Sequence, residues 1–307
     1  MTVIAALPHV TCVGIAALDL VFRIDAHPTS AGKYRASERR EVGGGVAANA
    51  AVTVAALGGT ASFIGCVGDD ATGDRIVAGL GETGVGIDAV RRVAGVSSPL
   101  SSVLIDDRGE RLIVNHVGDG LFDRGAPVTS QEVEDSDAVL VDMRWPDGAI
   151  PALTAARARG IPAIVDCDHD PTSNRGDEIL RAASHIVFSL PTLSALTGRA
   201  NAGDALRAAS AHTDAWVAAT AGADGVFWLD NGSVLHEPAL SVEVVDTLGA
   251  GDVFHGAFAL ALAENVSLER AVRFGSVAAA LKCTRPGGRD GIPGRAEVER
   301  LIKEWGS

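Results

Sequence analysis

Short apolar runs closed by glycine or acidic residues recur along the chain. Val10 to Ile15 is the first, unbroken and ending near Gly14. A run of that length predicts a buried strand. Ala61 to Gly68, Val139 to Asp142, Pro162 to Asp166, His185 to Phe188 and Ala215 to Thr220 repeat the pattern. Between them lie helical stretches: a small-residue run after Gly43-Gly44-Gly45 that ends near Leu57, then Thr72 to Leu80, Ala149 to Ala158 and Thr192 to Thr197. Strands that alternate with helices predict an α/β fold, a mostly parallel central sheet covered on both faces. Two hairpins interrupt the alternation. Ser101 to Ile105 and Arg111 to Asn115 flank an Asp-Asp-Arg-Gly-Glu turn, and Phe227 to Leu229 and Ser233 to Leu235 flank Asp230-Asn231-Gly232. Such turns join paired strands. With the polar stretch Pro28 to Arg40, the first hairpin predicts a small β-sheet lid, about residues 18–42 and 97–118, on a single domain spanning 1–307. Leu240 to Val245 alternates and reads as a strand; Phe254 to Leu262 and Leu268 to Cys283 read as helices.

Composition narrows the function. The chain has 307 residues, 47% of them apolar, and a net charge of −13. That size buries one large core. That charge disfavours nucleic acid or an anionic membrane as partner. Cys12, Cys66, Cys167 and Cys283 lie far apart, so buried free thiols are expected rather than a zinc site or a disulfide framework. No run of about 18 apolar residues and no signal-like N-terminus occurs, which predicts a cytoplasmic protein with a small-molecule substrate.

The densest chemistry is Asp246-Thr247-Leu248-Gly249-Ala250-Gly251-Asp252, followed by an apolar helix. A glycine-rich turn into a helix presents bare amides to an anion, and the helix dipole adds positive potential. Asp252, on the first helical turn, is either a helix cap or a base that takes a hydroxyl proton. An anion hole beside a base is the minimum for phosphoryl transfer. Gly43-Gly44-Gly45 lets a ligand approach backbone, and Asn49 is either a satisfied core amide or a hydrogen-bonding hand for a polyol. Arg144 stands at a strand end beside Trp145, either as a surface pair or as an anion clamp. Lys33 reads as a solvated lysine unless the lid carries it over the site. Thr220-Ala221-Gly222 and Thr284 to Gly288 are candidates to enclose a nucleotide, the latter equally a plain helix exit.

Together these segments resemble the ribokinase-like (PfkB) sugar kinases. One signature is Gly43-Gly44-Gly45 to Asn49 continuing to Phe63–Asp70, and the other is Asp246 to Phe254. The resemblance spans Val10 to Pro293. It implies a β lid that often serves as a dimerising clasp, ATP and Mg²⁺ as cofactors, and phosphorylation of a primary hydroxyl. It implies Asp252 as base; Gly249, Ala250 and Gly251 as anion hole; Asp19, Gly44, Gly45 and Asn49 as sugar contacts; Thr220, Gly222 and Gly225 on the nucleotide side. Asp246 matches a position near a monovalent-cation site of some members, so K⁺ is an allowed cofactor. Ser189-Leu190-Pro191-Thr192 stands where the family carries Asn-x-x-Glu, so Ser189 keeps a polar nucleotide-side position while Thr192 loses the carboxylate.

A narrower resemblance, in Ser30–Tyr34, Glu41–Gly45, Asp142–Gly148, Gly251–Ala257 and Ala280–Arg289, is to bacterial 6-deoxy-6-sulfofructose kinases. It implies that Lys33, Asn115 and Arg144 hold a sulfonate, a permanent anion suited to Arg, Lys and a neutral amide. The expectation is an ATP-dependent kinase acting on the C1 hydroxyl of 6-deoxy-6-sulfofructose. The alternatives are a ribokinase or fructokinase, a fructose 6-phosphate kinase, and a non-catalytic sugar sensor.

Overall fold

The computed structural model describes residues 7–169, 171, 172 and 175–305. In chain order the strands are β1 (His9–Gly14), β2 (Ala17–Arg23), β3 (Glu38–Gly44), β4 (Thr60–Gly68), β5 (Arg91–Val93), β6 (Leu100–Ile105), β7 (Arg111–His116), β8 (Ala138–Asp142), β9 (Ala163–Cys167), β10 (His185–Ser189), β11 (Trp216–Thr220), β12 (Val226–Asp230) and β13 (Ser233–Glu237). The α-helices are α1 (Val46–Ala56), α2 (Ala71–Glu82), α3 (Pro146–Ala158), α4 (Gly176–Ala182), α5 (Leu190–Thr197), α6 (Ala202–Ser210), α7 (Ala250–Ala263), α8 (Leu268–Cys283) and α9 (Arg295–Trp305).

Among the described residues nine strands form the main sheet in the order β13-β12-β11-β10-β9-β8-β1-β4-β5. From β11 through β5 all neighbours are parallel; β12 and β13 add an antiparallel edge. Side chains alternate across it. Leu140 enters the core beneath α1, α7 and α8, whereas Val139 and Val141 enter the core beneath α3 and α6. This layering is the expected doubly covered sheet, and it lines up the C-terminal ends of β1, β8, β9, β10 and β11 along one edge, where such sheets bind ligands.

A second, four-stranded sheet has the order β3-β2-β6-β7. Its strands cover the expected lid segments. Asp19 pairs with Val42 on one side and Ser101 on the other, and Ser101 pairs with Asn115. Residues directly opposite share a face, so Asp19, Ser101 and Asn115 form one row across the lid.

Leu240 to Val245 is not a strand. The segment is irregular, with Val244 and Val245 exposed by 61% and 56%. It is pinned by Val245 N and Asp246 N, both donating to Cys283 O. Its alternation reflects no sheet partner, because the sheet ends at β13. Cys12, Cys66 and Cys167 are buried free thiols and Cys283 is a half-buried one. No helix among the described residues is long and apolar enough to cross a membrane.

Candidate active site

The centre of the site is where α1 meets α7. Small residues let the two helices touch: a Cβ at Gly256 would lie 2.5 Å from Ala50 O and 2.8 Å from Thr53 Cβ. The closeness brings Asn49 Nδ2 to 2.6 Å from Asp252 Oδ2, across 203 positions of sequence. Gly45 ends the turn into α1 at φ +94°, where a Cβ would meet Ile15 O at 2.5 Å. Gly249 caps α7 at φ +76°. Both angles favour glycine. The first-turn amides of α7 at Gly251 and Asp252 precede the earliest i−4 acceptor bond, which Val253 N makes to Gly249 O, whereas Ala250 N, expected in the anion hole, already donates to Thr247 O. Nothing lies within 4 Å of a Cβ placed on Gly251, so a ligand has room beside these donors.

Beneath that turn lies a buried ion pair absent from the sequence-based expectations. His255 Nδ1 is 2.9 Å from Asp166 Oδ2 and 2.8 Å from Gly251 O, and His255 Nε2 faces Val187 O at 3.4 Å. Burial disfavours the imidazolium, yet the Asp166 carboxylate outweighs it and raises the His255 pKa to about 9. Burial raises the Asp166 pKa as well, and the pair ties the turn before α7 to β9 and β10. Asp166 Oδ1 is buried with no hydrogen-bond partner.

Asp252 is raised to about 7, first by burial and then by the Asp166 and Asp168 charges, against the Asn49 hydrogen bond. A carboxylate poised near neutrality is suited to proton abstraction. Because Asn49 engages Oδ2, Oδ1 is the oxygen left for a substrate hydroxyl. The cap alternative for Asp252 therefore gives way: its partner is a side chain of α1.

Beside Gly44, the Asp19 pKa is raised by burial, and its carboxylate lies 2.3 Å from where a Gly44 Cβ would stand. Arg289, which the sequence reading placed only within a loop, enters here. Its Nε donates to Asn49 Oδ1 at 2.8 Å and its Nη2 to Gly44 O at 2.9 Å. Burial pushes its pKa down to about 10, against the Asp19 and Asp252 charges. A Cβ on Gly43 would meet Arg289 Nη1 at 2.1 Å, so that glycine makes space for the guanidinium. The available signal was an arginine in the glycine-rich exit from α8.

Arg144 follows β8. Its NH1 and NH2 groups form a bidentate pair with Asp168 at 2.6 and 2.8 Å, and its backbone N donates to Asp142 Oδ1 at 3.0 Å. Asp142 Oδ2 in turn accepts from Ile15 N at 2.7 Å and Ala47 N at 3.3 Å, at the start of α1. Lys33 is exposed in the loop between β2 and β3, and Asn115 is exposed on β7. Asp19, Gly44, Gly45, Asn49, Asp252 and Arg289 thus form one cluster; Lys33 and Asn115 belong to the lid.

On the other side, Ser189 and Thr220 pair across adjacent strand ends. Ser189 Oγ donates to Thr192 Oγ1 at 2.8 Å, and Thr220 Oγ1 to Phe188 O at 3.3 Å. Gly222 and Gly225 take φ +57° and +86° in the following turn. Asp246 accepts from Leu248 N at 2.9 Å and Gly287 N at 3.0 Å, so its pKa is lowered although burial opposes this.

The family model for pfkB family carbohydrate kinases matches residues 7–295. The chain belongs to the pfkB family of carbohydrate kinases. As a pfkB member it is an ATP-dependent sugar kinase with the ribokinase-like fold. It is 29% identical over 296 residues to a ribokinase of Bacillus subtilis, covering 96% of this chain and 99% of that one. It is 30% identical to an ATP-dependent ribose-1-phosphate kinase of Halopiger xanaduensis, covering 88% of this chain and 90% of that one. A crystal structure from Agrobacterium tumefaciens, itself only provisionally assigned as a ribokinase, superposes with a TM-score of 0.93 at 44% identity, covering 98% and 99% of the two chains. Arabidopsis thaliana ribokinase complexed with ribose and ATP superposes with a TM-score of 0.85 at 27% identity, covering 97% and 99%.

Proposed function

We propose that this kinase transfers the γ-phosphoryl group of ATP to the C1 hydroxyl of a ketohexose with an anionic group at its far end, 6-deoxy-6-sulfofructose being the best fit. The supporting observation is the arginine content of the sugar side. The Arg289 guanidinium contacts Gly44 and Asn49; the backbone N of Arg144 is tied through Asp142 to the start of α1, and its guanidinium pairs with Asp168. A neutral pentose gives no reason for a guanidinium at Gly44 and Asn49 with a second just after β8, whereas a sulfonate, which could take the place of Asp168 on Arg144, does.

In this reading Asp252 Oδ1 takes the C1 proton while Asn49 holds Oδ2 and keeps the carboxylate aimed. The first-turn amides of Gly251 and Asp252 stabilise the charge on the transferring group, aided by the dipole of α7. Asp19 and the backbone at Gly44 and Gly45 orient the sugar hydroxyls. Arg144, with Asn115 and Lys33 brought in by closure of the lid, holds the sulfonate. Ser189, Thr220, Gly222 and Gly225 line the nucleotide side. Mg²⁺ carried by ATP would neutralise phosphate charge, and the Ser189 and Thr192 hydroxyls are the side chains that would hold the waters such an ion retains. The exposed β7 residues Leu112, Ile113 and Val114 support pairing of two lids in a homodimer, checked by sedimentation.

Ribose as substrate is the second reading, favoured by the relatives named ribokinase. ATP consumption against sulfofructose, fructose 6-phosphate, tagatose 6-phosphate, fructose, ribose and adenosine separates the two. Strong preference for sulfofructose is expected. Preference for ribose would keep the fold and Asp252 but remove the sulfonate role of Arg144 and Lys33.

A further inference from the structure

Lys282, near the end of α8, is completely buried, with 0% of its surface exposed. Lysine is seldom fully buried unless it is paired. Its Nζ donates to Asp246 O at 3.1 Å and Arg285 O at 3.3 Å, and lies 3.6 Å from Asp246 Oδ2. Burial pulls its pKa down while Asp246 opposes this. Two backbone carbonyls and a carboxylate thus converge on one ammonium.

The loops that supply them frame the anion hole. Asp246 begins the turn that ends at the Gly249 cap of α7, and Ala250 N closes that turn on Thr247 O at 3.2 Å. The Asp246 carboxylate also binds Gly287 N, stitching the turn to the loop that presents Arg289. A Cβ on Gly291 would lie 3.3 Å from Lys282 Cε, so the lysine stem is closely surrounded.

The family resemblance allows a monovalent cation beside Asp246. The residues present do not fit one: the oxygens that would ligate it already face the Lys282 ammonium, which would repel a second cation at this spacing. We infer that Lys282 is a built-in replacement for that cation, a positioning residue whose ammonium holds the Asp246–Gly249 turn, and through it the first-turn amides of α7, in place without added K⁺.

The test compares K⁺ with tetramethylammonium as the buffer cation. Wild-type protein is expected to show the same kcat, on whichever sugar of the panel it turns over, and the same melting temperature in both. In Lys282→Met, which keeps the apolar stem, kcat should fall between about tenfold and a hundredfold with a smaller change in KM for ATP, because sub-ångström displacement of catalytic donors acts on the chemical step. In Lys282→Ala, K⁺ but not tetramethylammonium should restore part of the lost kcat and raise the melting temperature. Severalfold K⁺ activation or K⁺-dependent stabilisation of the wild type would overturn the inference, even if neither variant folds. So would a folded Lys282→Met with wild-type kcat, or a folded Lys282→Ala indifferent to K⁺.

Discussion

Replacing Asp252 by Asn should remove activity and stabilise the protein, with a pH dependence that identifies the cause. The Asp252 carboxyl titrates near 7 in the fold, chiefly because of burial, and near 3.9 in an unfolded chain. Between those values the unfolded state has released its proton while the native state keeps it. Stability therefore falls as pH rises from about 4 to about 7 and stays reduced above that. At about 1.4 kcal/mol per tenfold, the full difference is about 4 kcal/mol; solvent access to the half-buried side chain brings the expectation to roughly 2–4 kcal/mol. Asn is neutral at every pH, similar in shape, and its carbonyl can still accept from Asn49 Nδ2. For 307 residues, an unfolding entropy of about 2.1 cal/mol/K per residue converts this into a rise of roughly 3–6 °C at pH 8. The rise should vanish near pH 4, where the carboxylic acid is also neutral. Thermal melts of both proteins from pH 4 to pH 8 measure this. Loss of the base should cost about 10²–10⁴ in kcat, and wild-type kcat/KM should climb with pH through a midpoint near 7. A variant no more stable than wild type at pH 8, or one that keeps wild-type turnover, would refute the placement of a desolvated, proton-abstracting carboxylate here.

Arg144→Ala should lower kcat/KM on sulfofructose by the equivalent of about 2–5 kcal/mol while altering turnover of a neutral sugar far less; equal losses on both would make Arg144 a purely structural partner of Asp168. Arg289→Gln removes a charged donor to Asn49 and Gly44, so kcat/KM for the sugar should drop by the equivalent of about 1.5–3 kcal/mol, with KM for ATP nearly unchanged. Gly256→Ala should destabilise by about 1–3 kcal/mol, because its methyl meets the α1 backbone. By separating Asn49 from Asp252 it should also reduce kcat; a melt and a steady-state assay on the same sample check both.

Much of this molecule was legible in order along the chain. Periods of two and 3.6 mark the strands and helices without knowledge of partners, which is why Leu268 to Cys283 was read to its end and Asp252 was assigned to a first helical turn. The glycines at Gly45 and Gly249 announced their turns because few other residues adopt those angles. Leu240 to Val245 failed because alternation records only what a segment can pair with, and the edge of the sheet was already taken by β13. Contacts between distant residues were out of reach for the same reason. Arg289 meets Asn49 across 240 positions, and His255 meets Asp166 from a different element. In the sequence Lys282 drew no reading of its own, being one residue of the Ala280–Arg289 stretch. Its burial, and the three oxygens around it, exist only once α8 has packed against the loop at Asp246. Local chemistry and periodicity determined the elements and the candidate base, Asp252; the packing of α1, α7 and α8 over the strand ends decided its raised pKa, its partners and the burial of Lys282 against Asp246, because desolvation and ion pairing are properties of three-dimensional neighbours.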